Sequence, residues 1–161
     1  MRPFALIILL VLPTIASAQQ PGYRMVADFF RSLKDAVEQT DTTDLKRLVY
    51  PFKDEIEDMQ AAMIENMLNG NPNQRGDGAF SMAALDTLIA HHLSAIKPIH
   101  RDLYTQLATD RIFGTVISRY KQKRVWIMDL RNVHIILLEK RGKLQLFFWE
   151  NLNNLLHPSA T

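Results

Sequence analysis

Cysteine is absent from this 161-residue chain. It can therefore hold no disulfide, no thiolate metal site and no cysteine nucleophile. Glycine is scarce at six residues, and three of them fall in one stretch, Asn69 to Gly78. Nowhere does it take the G-x-G-x-x-G or P-loop spacing that wraps a phosphate. The serines sit in no G-x-S-x-G elbow and the histidines in no H-E-x-x-H pair. Charge of one sign is not in excess either. Against 19 basic residues stand 17 acidic ones, so net charge alone selects no polyanionic partner. Beyond Phe4–Leu12 there is no long apolar run, which argues against a stable membrane anchor.

The chain opens with the layout of a secretory signal peptide. Arg2 is the positive start, Phe4 to Leu12 the apolar run, Pro13 a break and Ala16-Ser17-Ala18 a small-residue cleavage site. Cleavage after Ala18 and export to a bacterial periplasm or the cell exterior are expected. Residues 19–22 then read as a flexible leader, 23–152 as one domain and 153–161 as a flexible tail. Hydrophobic residues make up 47% of the chain, enough for a single core without disulfides.

The first half carries helical periodicity. Val26, Phe29, Phe30, Leu33 and Val37 recur at three and four residues and form one apolar stripe from Tyr23 onward. Thr42 or Thr43 is placed to cap a short second helix, Asp44 to Tyr50, which Pro51 stops. Lys53 to Leu68 follows with Ile56, Met59, Met63 and Met67 on one side and Gly70 as its stop. Its acidic opening, Asp54, Glu55, Glu57 and Asp58, lacks the spacing of a calcium loop and suits the positive end of a helix. Asn69 to Gly78 reads as a surface loop, and its Arg75-Gly76-Asp77 tripeptide is too short to signify adhesion. Ser81 caps another helix with Met82, Leu85, Ile89, His92 and Ile96 along one side, ended by Pro98. Ile99, Leu103 and Leu107 mark one more.

The last third changes texture. Arg111 to Tyr120 is β-branched and aromatic and predicts a first strand. Strands follow at 124–130, 132–140 and 143–150, the last two joined by a tight Arg141-Gly142 turn. Helices first and strands last give an α+β fold, with N-terminal helices packed on a C-terminal antiparallel curved sheet of about four strands. Leu137 beside Leu138 and Phe147 beside Phe148 put apolar residues on both faces, so both are expected to be covered. Helices would cover one, and a partner subunit could cover the other. Charge is segregated as well. Residues 28–65 hold ten acids against five bases, and 111–150 hold nine bases against three acids.

The order of segments resembles the nuclear transport factor 2-like (cystatin-like) superfamily, which includes many small exported bacterial domains. The resemblance is carried by Phe29-Phe30 in the first helix, Leu45 to Pro51, the FSMAALDTL segment from Phe80, and Arg124-Val-Trp-Ile127 in the sheet. It implies a cone-shaped domain in which a curved sheet and helices enclose a pocket, often with dimerisation through the sheet. The catalytic motifs of its enzymes, such as the ketosteroid isomerases, have no match here, so no catalytic residue is carried over. A mostly helical domain with a terminal hairpin is the alternative architecture.

Candidate site residues follow from the sheet. Tyr120, Trp126, His134 and Trp149 lie on or beside strands, near Arg119, Lys121, Lys123 and Arg124. Interleaved aromatic and basic side chains can stack on and neutralise an anionic ligand; the same tryptophans equally suit core or interface anchors. Export disfavours nucleic acid as that ligand. His91, His92 and His100 with the methionine ladder form a soft-ligand set of the kind that holds copper. Adjacent helical histidines point about 100° apart, however, and methionines at this spacing are ordinary core filler. No metal and no cofactor are expected. Three functions stay open: a non-catalytic exported domain that binds a small apolar or anionic ligand or forms a homodimer, an immunity- or inhibitor-type module that docks on a partner protein, and a cavity acid–base enzyme using Asp129, His134 or Tyr104.

Overall fold

In a computed structural model the residues described are 21–52, 59–70, 79–130 and 132–156. The signal segment, the acidic cluster at 54–58, the loop at 71–78 with its Arg-Gly-Asp tripeptide, and residues 157–161 lie outside them. Four helices precede the sheet: α1 (Pro21–Glu38), α2 (Thr42–Leu48), α3 (Met59–Leu68) and α4 (Met82–His91). A two-residue strand β1 (Lys97–Pro98), helix α5 (Arg101–Thr109) and a one-turn helix α6 (Gly114–Ile117) come next. The strands β2 (Val125–Leu130), β3 (Val133–Lys140) and β4 (Lys143–Glu150) finish the sheet. The fold is α+β, and the sheet is an antiparallel meander in the order β1-β2-β3-β4.

Each helix is placed by its apolar stripe. Val26, Phe29, Phe30, Leu33 and Val37 of α1 are all buried, as the spacing predicts. They meet Met128, Ile135, Leu137, Leu144 and Leu146 on one face of the sheet, together with Leu85 and Leu88 of α4. On α4 the buried side is Ala84, Leu85 and Leu88, while Met82 and Ile89 are half-buried. The helix is thus rotated from the expected stripe, and it gives way to a 3-10 turn at Leu93–Ala95. Met63 and Met67 of α3 are core residues and Met59 packs at its margin. Gly70 follows α3 for a steric reason. A β-carbon there would sit 2.3 Å from the carbonyl oxygen of Phe80.

The sheet's second face is covered by this same chain. Val125, Ile136, Leu138 and Phe147 pack with Tyr50, Ile99, Val116 and Ile117, flanked by Leu103, Leu107 and Phe113 of the α5–α6 region. Leu137 and Leu138 do point to opposite faces. Phe147 and Phe148 do not. Ile136 pairs with Phe148 and Leu137 with Leu146, so Phe147 is the extra residue of a β-bulge. The bulge puts both phenylalanines in the second-face cluster and returns Trp149 to the first face.

Four local expectations are corrected. Arg111–Tyr120 is no strand but a turn followed by α6. Asp110 accepts the N–H groups of Ile112 and Phe113 at 2.7 and 2.9 Å and so starts that turn, and Gly114 lets α6 approach the Ala108 carbonyl. The cap of α2 is Asp41, whose carboxylate accepts from Thr43 and Asp44 at 2.9 and 3.0 Å, in place of either threonine. Asn153 does not open a loose tail. Leu152–Leu156 form a 3-10 turn with Leu152, Asn153 and Leu155 buried. There Ser81, which caps α4 through Ala84, donates to Asn153 Oδ1 at 2.9 Å. At the other end, α1 already includes Pro21 and Gly22.

Candidate functional site

Among the described residues, a cleft of about 910 Å³ lies where α1, α2 and the β3–β4 hairpin meet. Helix α1 contributes Met25, Asp28, Phe29 and Ser32, spaced at i, i+3, i+4 and i+7 and so sharing one face. From α2 come Asp44, Arg47 and Leu48, again at helical spacing. The hairpin adds Lys140 through Gln145. Its tip is a two-residue turn with φ of 53° at Arg141 and 74° at Gly142, the left-handed pair that matches strand twist. Gln145 ties hairpin to helix by donating to the Arg47 carbonyl at 3.3 Å. Gln60 donates to the Lys46 and Val49 carbonyls at 2.9 and 3.0 Å and so satisfies the end of α2 from the other side.

The cleft combines apolar side chains with a charged rim on which Arg47, Lys140, Arg141 and Lys143 outnumber Asp28 and Asp44. Phe29 and Leu144 are buried, while Met25 and Leu48 are half-buried at its edge. Of the rim charges, Arg47 is paired with Asp44, and Asp28 lies 3.7 Å from Arg31. Lys140, Arg141 and Lys143 are exposed, and among the described residues no carboxylate pairs with them. A cleft built this way suits an anionic group at the rim with a hydrocarbon portion on the floor.

The four residues singled out on the sheet are distributed differently. Trp126 and Trp149 are both buried in the core on the α1/α4 face. Trp126 packs over Gly22 and donates to Glu139 Oε2 at 3.4 Å, and Trp149 stacks on Phe80 with ring centroids 5.0 Å apart. Tyr120 belongs to the opposite-face cluster, and burial raises its phenol above the ordinary value. His134 is partly exposed beside Asp129, with Nδ1 3.1 Å from Oδ1, at the β2–β3 end of the sheet. None of the four lines the cleft. The three acid–base candidates do not converge in one enclosed pocket: the Asp129–His134 pair faces solvent, and Tyr104 of α5 gives its hydroxyl to the Tyr120 carbonyl at 2.6 Å. Among the described residues no three histidines, aspartates or glutamates gather as a metal site, and no helix is long and apolar enough to cross a membrane.

Sequence reasoning passed over the cleft because it joins elements about a hundred residues apart. The sequence does carry one signal: Lys140-Arg141-Gly142-Lys143 is a run of cations across a tight turn, with no acid within the run to pair with them. Comparison with known protein families, with curated proteins and with solved structures finds no match to this chain.

Proposed function

We propose that this protein is an exported, non-catalytic domain that binds a small anionic amphiphile in the cleft between α1, α2 and the β3–β4 hairpin. The observation that carries the reading is the set Lys140, Arg141 and Lys143, three cations without carboxylate partners among the described residues, beside the apolar Phe29 and Leu144. A carboxylate or phosphate there would gain charge-assisted hydrogen bonds. Each methylene laid on the floor would add about 0.8 kcal/mol.

We propose a nuclear transport factor 2-like fold for the domain; the order of helices first and a terminal antiparallel sheet supports that reading. Its usual pocket, between sheet and helices, is here packed with Phe30, Leu33, Leu85, Met128 and Leu137. The ligand site of this chain therefore lies at the hairpin end. Because helices of the same chain cover both sheet faces, homodimerisation through the sheet would run through its edges.

Calorimetric titration with a long-chain fatty acid and with the matching alcohol tests the reading. The acid should bind at least about tenfold more tightly, since the alcohol forfeits the charge-assisted bonds. Lys140→Gln with Lys143→Gln should erase most of that difference. Equal affinity for acid and alcohol, or binding of neither, would remove the proposal. A polypeptide that co-purifies from the native host would favour the interaction-module reading instead.

A further inference from the structure

The meander brings two basic turns that are distant in sequence to one end of the sheet. Val125 pairs with Leu138, and Lys140 with Lys143. The start of β2, the end of β3 and the start of β4 therefore lie together. The 3-10 turn that leads into β2, Gln122–Arg124, sits beside the end of β3. Its Gln122 is anchored by donating to the Ile99 carbonyl at 3.0 Å. Lys121, Lys123 and Arg124 thus join Lys140, Arg141 and Lys143 at this end. All six are exposed, and among the described residues none forms an ion pair. The acids at this end have partners of their own: Glu139 accepts from Trp126 at 3.4 Å, Asp28 lies 3.7 Å from Arg31, and Asp44 is paired with Arg47.

We infer that this end of the sheet is a docking surface for an anionic lipid bilayer. Six cations on long side chains, spread over the ends of three strands, reach well beyond the one anionic group that the cleft's three could hold. They suit a diffuse field of negative headgroups, to which each Lys or Arg near the surface adds independently. Across β2, β3 and β4 the array is about 10 Å wide, from the strand spacing. The apolar cleft lies at this same end, since its hairpin residues are the array's second half. Docking would bring its floor to the headgroup level. A single-stranded nucleic acid is the other diffuse polyanion, but it needs exposed aromatic rings for base stacking. At this end Trp126 is buried and Tyr120 is packed into the second-face cluster.

Co-sedimentation of the intact protein with vesicles tests the inference, and this reading does not depend on the cleft being a ligand site. The probes are phosphatidylcholine vesicles with and without about 30 mol% phosphatidylglycerol, at low and at roughly tenfold higher salt. Binding is expected to the anionic vesicles alone and only at low salt. The variant K121Q/K123Q/R124Q should lose roughly a hundredfold in vesicle affinity, about fivefold per cation. Its fatty-acid affinity should stay at the wild-type level, because these residues lie outside the cleft. If the triple variant melts below the wild type, K121Q and K123Q made singly carry the test at about fivefold each. Equal binding to neutral vesicles, unchanged binding by the variants, or tighter binding to single-stranded DNA than to the anionic vesicles would overturn the inference.

Discussion

Thr40 ends α1 in a conformation its side chain disfavours. Its φ is 54°, the left-handed region in which a β-branched residue meets its own backbone. The position is fixed by the helix exit: Asp41 N–H donates to the Ala36 carbonyl at 2.8 Å and Thr40 N–H to that of Val37 at 3.1 Å. Those two bonds are the Schellman pattern, and its left-handed residue is usually glycine. Thr40→Gly should therefore stabilise the fold by about 1 kcal/mol, net of the greater freedom of the unfolded chain. In a thermal melt the midpoint should rise by roughly 3–5 °C. An unchanged or lower midpoint would mean that the threonine is not strained there. Arg141 has the same sign of φ for another reason, a two-residue hairpin turn, and there the turn holds a cation at the rim of the cleft.

Elements whose stripe is repeated over several turns were legible in the sequence; elements decided by one contact were not. Helix α1 has five apolar positions in register, and β2, β3 and β4 were bounded to within a residue or so. Residues 111–120 were misread because β-branched composition outweighed spacing. Phe113, Val116, Ile117 and Tyr120 recur at i, i+3, i+4 and i+7, and all four pack in the second-face cluster. Nothing in the doublet Phe147-Phe148 announces a bulge, since a bulge depends on the register of the neighbouring strand. The ending at Leu152–Leu156 was illegible for a similar reason: what holds it is a long-range bond between Ser81 and Asn153, both 3% exposed. Asn153→Ala would leave the Ser81 hydroxyl without its buried acceptor, at a cost of about 2 kcal/mol in urea unfolding. Ser81→Ala should cost about 1–2 kcal/mol through the lost cap of α4. The double variant should cost less than the two together, by at least about 0.5 kcal/mol. Strict additivity would show that the turn is held by Leu152 and Leu155 alone.

At the scale of the whole molecule, helices α1 and α4 are joined by Lys34, which bonds to Asp86 across the interface and to Glu38 one turn on at 3.1 Å. The Asp86 bond, then that to Glu38, raises the Lys34 ammonium above its ordinary value of 10.5. On the far side of the sheet, burial raises the Tyr120 phenol above 10.0. Both shifts have the same sign in the balance between folded and unfolded chains. Below the unfolded values both groups are protonated in either state, and their contribution to stability is complete. As pH rises past those values, the unfolded chain loses its protons first, so stability falls until the folded groups titrate as well. The two groups lie in different layers, one on the helix side and one beneath α5 and α6, so their effects should add. The melting midpoint of the wild type should thus decline above about pH 10. Lys34→Met combined with Tyr120→Phe removes both titrations, and its midpoint should decline less over the same range even if it starts lower. Parallel declines in the two proteins would mean that alkaline unfolding is governed by the protein's general charge instead of these two sites. A shallower decline would locate the pH sensitivity in the contacts that clamp the sheet from its two faces.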